Sequence, residues 1–339
     1  MKKVRVENAV GMVLAHDITR IVPGKFKGVG FKKGHVVREE DIPALLQLGK
    51  EHLYALNLPQ SRMHEDEAAL RIARAISGPR LRWTTPSEGK SNIISPTDGL
   101  LKINAAALTR INKLDHIIVS TLKNNFPCRQ DQIVAATRII PLTIARKKIA
   151  RLEAIAAQGP AVIRVLPYRP LKVGAVVTGS EIHKGLIKDE FDKYVGRKVR
   201  RYGSRIVKKI QVPDDTAQIA RAVTDLINLR CELIITTGGL SVDPDDVTRQ
   251  GVRQVGADII VYGAPILPGA MFLYARHQGT PILGLPACVY YHPSTIFDLV
   301  LPRVLAGDEI TRNDIAALGQ GGLCLNCEKC QFPVCPFGK

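Results

Sequence analysis

The run T-T-G-G-L-S-V-D-P-D-D-V-T, Thr236 to Thr248, joins a glycine turn to three carboxylates directly behind the apolar strand pattern Leu233, Ile234 and Ile235. Gly238-Gly239 permits a turn tight enough to bring backbone N–H groups against an anion. Asp243, Asp245 and Asp246 follow where a helix should begin, so they can cap it, bind a hard cation such as Mg²⁺, or do both. The chemistry implied is the capture of a phosphate-bearing ligand, with Asp246 and Asp245 as the leading catalytic and metal-binding residues.

A second run lies near the C-terminal end of this 339-residue chain. Cys324, Cys327, Cys330 and Cys335 give C-x2-C-x2-C-x4-C-P, one residue longer than the C-x2-C-x2-C-x3-C-P spacing of bacterial ferredoxins. Four thiolates at this density suit a [4Fe–4S] cluster or a tetrahedral Zn²⁺. Iron–sulfur is favoured, because zinc sites usually pair two C-x2-C knuckles across a longer spacer. The other cysteines, Cys128, Cys231 and Cys288, stand far apart, so metal fits the pattern better than disulfides.

That cysteine usage, with Met1-Lys2-Lys3-Val4 leading into polar residues rather than a signal sequence, predicts a cytoplasmic protein. Apolar stretches such as Ile282 to Val289 are too short to span a bilayer, so no membrane partner is expected. The formal charge of +17 favours anionic ligands, and its basic residues concentrate between Lys193 and Lys209. Nucleic acid ranks low, since aromatics make up only 5% of the chain and no reading motif accompanies them. The expected partner is a phosphorylated small molecule.

Four segments should position these residues: a mixed α/β segment over 1–60, a β-rich domain with flanking helices over 61–165, an α/β domain over 166–307, and a C-terminal helix with the cysteine cluster over 308–339. In the third, strands are expected over Lys172–Val177, Ile206–Val212, Glu232–Thr236, Asp258–Tyr262 and Pro281–Leu285. Helices are expected over Glu190–Tyr202, Thr216–Leu229 and Pro293–Ala306, with Pro293 in the first turn. This alternation predicts a three-layer α/β domain with a mostly parallel sheet. Ligands bind beyond the carboxyl ends of such strands, so four loops should face one crevice: 178–189, 238–246, 263–271 and 286–292.

The loop motifs, V-G-A-V-V-T-G-S-E-I with G-L-I-K-D-E, then T-T-G-G-L-S-V-D-P-D-D-V-T, G-A-P-I-L-P-G-A and G-L-P-A-C-V, resemble the molybdopterin-binding domain of molybdenum-cofactor biosynthesis proteins. Their arrangement is most similar to molybdopterin molybdenumtransferase, the enzyme related to the C-terminal part of gephyrin. The opening V-R-V-E-N-A-V-G-M-V-L-A-H-D-I resembles that enzyme's N-terminal segment. The resemblance implies a molybdopterin-binding fold, a homodimer, molybdopterin as ligand with Mg²⁺, and insertion of molybdate into adenylylated molybdopterin. It places Thr178, Gly179, Glu181, Asp189, Thr237, Gly238, Gly239, Ser241, Pro268, Gly269, Pro286 and Cys288 around the ligand.

The sequence departs from that family at three points. Ser180 replaces an aspartate of the first loop, Ala270 replaces a lysine, and Pro286-Ala287-Cys288-Val289 replaces a P-G-N-P loop. The family's C-terminal β-domain has no counterpart here. G-G-L followed by P-x-D-D-V-T also resembles the competence-damage-inducible family, which implies a Mg²⁺-dependent nucleotide pyrophosphatase. The departures leave a third expectation, a non-catalytic molybdopterin-binding or redox sensor protein.

Overall fold

The computed structural model describes residues 2–22, 24–55, 59–240 and 247–338. Ser241, Asp243, Asp245 and Asp246 therefore lie outside the described residues. The chain divides into two compact units: 1–97, 101–124 and 128–165 form one, and 98–100, 125–127 and 166–339 the other. The segments 1–60 and 61–165 thus share the first unit, and 308–339 belongs to the second.

In the first unit, Val6, Leu14, Ile18, Val37 and Leu45 close a small core. The helix Glu65–Ile76 buries Ala68, Ala69, Ile72, Ala73 and Ile76, a stripe at three- and four-residue spacing. A four-stranded antiparallel sheet runs in the order Arg82–Trp83, Lys90–Ile94, Ile133–Ile139, Ile117–Thr121.

At the start of that helix the His64 ring (Nδ1 to Oδ2, 3.3 Å) and Lys33 Nζ (2.7 Å) hold the Asp66 carboxyl well below the usual carboxylate range, against the opposing effect of burial. A depressed carboxyl stabilises the fold above its unfolded pKa of about 3.9, and the contribution is lost as pH falls through the lower folded value. Asp66→Asn should remove stability at neutral pH and flatten the acid limb below about pH 4 in urea melts taken across pH. The same acid limb in both proteins would contradict this.

The second unit is built on six strands: β1 (Lys172–Thr178), β2 (Arg205–Val212), β3 (Leu233–Thr237), β4 (Asp258–Tyr262), β5 (Leu273–His277) and β6 (Thr280–Leu285). Their order is β2-β1-β3-β6-β5-β4. The pairs β2/β1, β1/β3 and β3/β6 are parallel, whereas β6/β5 and β5/β4 are antiparallel. The sheet is mixed, because the short connection through Gln278 and Gly279 folds β5 and β6 into a hairpin, and the sequence pattern had not shown β5.

Helices α1 (Arg197–Arg200), α2 (Thr216–Asn228), α3 (Thr248–Gln254), α4 (Ile296–Leu305) and α5 (Arg312–Ala317) cover the sheet. One face packs Val195, Val199, Phe297, Val300 and Leu301 against Val173, Ala175, Leu233 and Ile235. The other packs Ile219, Val223, Leu226 and Val252 against Val176 and Ile234. The expected helix over 190–202 is a π-helical turn, Asp192–Gly196, running into α1. Pro293 is not in the first turn of α4. Thr295 and Asp298 cap that helix reciprocally instead, which satisfies the first-turn N–H groups better than a proline two residues upstream.

Candidate ligand-binding site

β1 leads to β2 on one side of itself, and the chain then returns past it to β3 on the other side. The helices that follow β1 and β3 lie on opposite faces of the sheet. The candidate site therefore lies beyond the carboxyl ends of these two strands, where sheets of this order bind their ligands.

The ends of both strands carry hydroxyls that fix the glycine turn. Thr178 Oγ1 donates to the Thr237 carbonyl (3.1 Å) and lies 3.4 Å from Thr248 Oγ1. Thr248 Oγ1 donates to the Gly238 carbonyl (2.9 Å), and its N–H donates to the Gly239 carbonyl (3.1 Å). Gly238 and Gly239 both take left-handed conformations, with φ of 89° and 58°. A Cβ on Gly238 would stand 2.4 Å from the Thr178 carbonyl oxygen, and one on Gly239 would stand 2.5 Å from Thr248 Oγ1. Only glycine fits either position.

In the first loop, Gly179 donates to the Val212 carbonyl (3.2 Å) and opens the short helical turn Ser180–His183. Ser180 donates from N (2.9 Å) and Oγ (3.1 Å) to Asp214 Oδ2. A carboxylate from the loop after β2 is thus engaged by the backbone and side chain of Ser180. Glu181 is exposed, and its carbonyl accepts from the Leu186 N–H (2.8 Å).

The Asp189 carboxylate is taken up by the protein itself. It accepts from Phe191 N (2.8 Å) and Gln211 Nε2 (3.2 Å) and pairs with Lys209 Nζ (2.6 Å). Lys209 also pairs with Asp192 (2.7 Å). Burial works to lower the Lys209 ammonium, but hydrogen bonds to the two aspartates overcome it and raise the group.

The third loop carries Pro268 and Gly269. Gly269, at φ 137°, packs on the start of α4, where a Cβ would meet Ile296 Cγ2 at 2.7 Å. Beyond Pro286, a 3₁₀ turn, Ala287–Tyr290, carries Cys288. Burial pushes the Cys288 thiol up, with the Lys198 charge opposing, so it stays protonated near neutral pH and is not an activated nucleophile. Burial also pushes the Tyr290 phenol up, and its contact with Thr237 opposes that shift. The Tyr290 ring meets Tyr194 edge-on at 5.9 Å.

Thr178, Gly179, Thr237, Gly238 and Gly239 are therefore brought together, while Pro268 and Gly269 rest on α4. The carboxylate of Asp214 and the side chain of Tyr290 were not singled out from sequence, and Thr248 and Lys209 were named only as part of a motif and of a basic segment. Asp214 and Tyr290 each stand within five residues of a strand's carboxyl end, which is the signal that could have found them.

The cysteines of the tail line one cavity with His292, Ser294 and Phe337. Among the described residues, no group of three or more His, Cys, Asp or Glu side chains is arranged to hold a metal ion. No helix among them is long and apolar enough to cross a membrane.

Residues 174–306 match the family model described as "Probable molybdopterin binding domain". Within the second unit, residues 174–306 thus carry a divergent domain of the molybdopterin-binding family. Residues 3–57 match a domain of unknown function (DUF8806). Over 86 residues the chain is 37% identical to a CinA-like protein of Thermotoga maritima, covering 25% of this chain and 21% of that protein. A CinA-like protein of Geobacter sp. strain M21 is 32% identical over 90 residues, 26% of this chain and 22% of its own length. The chain thus spans about a fifth of the length of these curated relatives. Among solved structures, the molybdopterin biosynthesis Mog protein of Mycobacterium ulcerans is 20% identical, covering 40% of this chain and 94% of that one, with a TM-score of 0.34. The molybdopterin biosynthesis MoeA protein of Pyrococcus horikosii is 14% identical, covering 90% and 74%, also with a TM-score of 0.34.

Proposed function

We propose that the protein binds molybdopterin, or a closely related phosphorylated pterin, in the crevice beyond β1 and β3. The phosphate lies against the Gly238-Gly239 turn, with Ser241, Glu181, Pro286 and Cys288 on the surrounding loops. The observation that carries this reading is a turn in which only glycine fits, braced by Thr178 and Thr248 at the topological switch point of a domain matching the molybdopterin-binding model.

Of the carboxylates near the strand ends, Asp189 is taken by Lys209 and Asp214 by Ser180. The cation ligands of this proposal are Asp246 and Asp245, the carboxylates that follow the glycine turn in sequence. Mg²⁺ bound there would polarise the ligand's phosphate oxygens. Asp246→Asn should weaken Mg²⁺-dependent molybdopterin binding by ~1–3 kcal/mol, roughly five- to 150-fold in Kd, in a calorimetric titration. Equal affinity with and without the substitution would remove Asp246 from the site.

The activity proposed for this site is insertion of molybdate into adenylylated molybdopterin, in a cytoplasmic homodimer. A second reading, cleavage of a nucleotide pyrophosphate bond, is favoured by the identity to CinA-like proteins. Incubation with adenylylated molybdopterin plus molybdate, and separately with ADP-ribose, distinguishes them. Release of AMP with molybdenum retained on the pterin supports insertion. AMP and ribose phosphate from ADP-ribose support the second. Inertness toward both, with molybdopterin still bound, leaves a binding protein.

A further inference from the structure

The four cysteines lie outside the crevice, and the proposed ligand chemistry does not use them. Cys324, Cys327, Cys330 and Cys335 nevertheless line a single cavity of about 50 Å³, walled also by His292, Ser294 and Phe337. Cys324 and Cys335 pack partly against the core of the second unit, and Phe337 beside them is buried within it. The tail is therefore anchored at both ends of its cysteine run.

Two polar groups lie within hydrogen-bond distance of sulfur. The Asn326 N–H donates to Cys324 Sγ (3.4 Å), and Ser294 Oγ lies 3.3 Å from Cys330 Sγ. Donors of this kind stabilise thiolate charge around a bound cluster. A second, basic pocket of about 620 Å³ shares Pro293, Ser294, Cys330 and Phe332 with the cysteine cavity and is lined by Arg197, Lys198, Arg200 and Arg201. Lys198 is matched by Asp298 (2.6 Å) and Arg200 by Asp192 (3.5 Å), while no described residue pairs with the guanidinium of Arg197 or Arg201. Excess positive charge thus borders a site whose four thiolates would carry a net negative charge once metal is bound.

We infer that these four cysteines ligate a [4Fe–4S] cluster, and that the cluster steadies one wall of the ligand crevice. The four cysteines line one cavity, although among the described residues no three such side chains are arranged around a single ion. The C-x2-C-x2-C-x4-C-P spacing, one residue longer than that of bacterial ferredoxins, is what selects a cluster over one Zn²⁺. Each thiol gives up its proton on binding iron.

The link to the crevice is a pair of backbone hydrogen bonds. Leu267 N–H donates to the Gly322 carbonyl and Cys324 N–H to the Leu267 carbonyl, each at 2.8 Å. Leu267 immediately precedes Pro268 and Gly269. Fixing Cys324 therefore fixes the loop whose Pro268 and Gly269 the family resemblance places around the ligand. The cluster does not depend on what the crevice binds; only the consequence for the ligand rests on that reading.

The test is anaerobic reconstitution of the full chain with equal amounts of ferrous and ferric iron plus sulfide, which together supply the two ferrous and two ferric ions of an oxidised cluster, beside a zinc-only arm. The expected result is about four iron and four sulfide per chain, a broad visible absorption bleached by dithionite, and slower hydrogen exchange at the Leu267 and Cys324 amides. Cys327→Ala and Cys330→Ala, which remove exposed thiols, should keep the apo-protein's melting temperature and lose the iron. Arg201→Gln should keep the cluster and shift its reduction potential to a more negative value. Stoichiometric zinc without sulfide, or retention of neither metal, would overturn the cluster. A full cluster with unchanged exchange at Leu267 and Cys324 would overturn its coupling to the crevice. Neither result bears on molybdopterin binding, which is measured separately on apo-protein.

Discussion

Gly238→Ala is expected to abolish molybdopterin binding and to lower stability by about 2–5 kcal/mol. Two effects act together. The residue sits at φ 89°, where a Cβ is opposed by the backbone, and that Cβ would lie 2.4 Å from the Thr178 carbonyl oxygen and 2.6 Å from its hydroxyl. The carbonyl belongs to the end of a buried strand and cannot swing aside as a flexible side chain would. Relief must come from the turn itself, which moves the N–H groups proposed to hold the ligand's phosphate. A chemical melt and a ligand titration on the same preparation check both effects. Near wild-type values in both would show that the turn is neither strained by a side chain nor used.

Arg303→Met should cost about 3–5 kcal/mol, because it breaks a buried charge network while leaving its acids in place. The Arg303 side chain is 5% exposed, with Nε 2.6 Å from Asp308 Oδ2 and Nη2 3.2 Å from Asp314 Oδ1. Nη2 also donates to the Glu309 carbonyl (2.8 Å). Methionine can fill part of the space but meets none of these acceptors. The acid limb should shift as well. Burial works to raise the Asp314 carboxyl, but hydrogen bonds from Thr311 and the charge of Arg303 outweigh it, so the group sits below its ordinary value. Removing Arg303 reduces that depression and the stability it supplies above the unfolded pKa of about 4. Denaturant melts at neutral and acid pH measure this, and a loss under about 1 kcal/mol would contradict it.

The α/β unit was legible because its signals are local. Apolar runs such as Leu233–Ile235 and Asp258–Tyr262 read directly as strands, and Asp215 before α2 reads as a cap. β5 was not legible, since Leu273–His277 mixes Tyr274 and Ala275 with Arg276 and His277 and alternates in no clear period. Its strand character comes from the hairpin with β6, a tertiary cause. The start of α4 was misplaced for a similar reason: Pro293 carries a strong first-turn preference, but the Thr295 and Asp298 side chains satisfy more backbone groups.

At the site, the sequence made the glycine turn visible but not its bracing. Thr178, Thr248 and Gly238 are distant in sequence and meet only when parallel β1 and β3 end at one edge. The engagement of Asp214 by Ser180 was hidden in the same way, since the two residues lie 34 positions apart. Asp189 reads as a free ligand in the sequence, whereas in the fold β2 delivers Lys209 to it. A motif thus identifies which backbone turn is present, but strand order decides which side chains are left over to meet a ligand.

The most direct measurement is a calorimetric titration of the full chain with molybdopterin, run in Mg²⁺ and again in EDTA. The account predicts saturable binding at one site per chain, weaker in EDTA. The absence of saturable binding under both conditions, from protein that melts cooperatively, would contradict it.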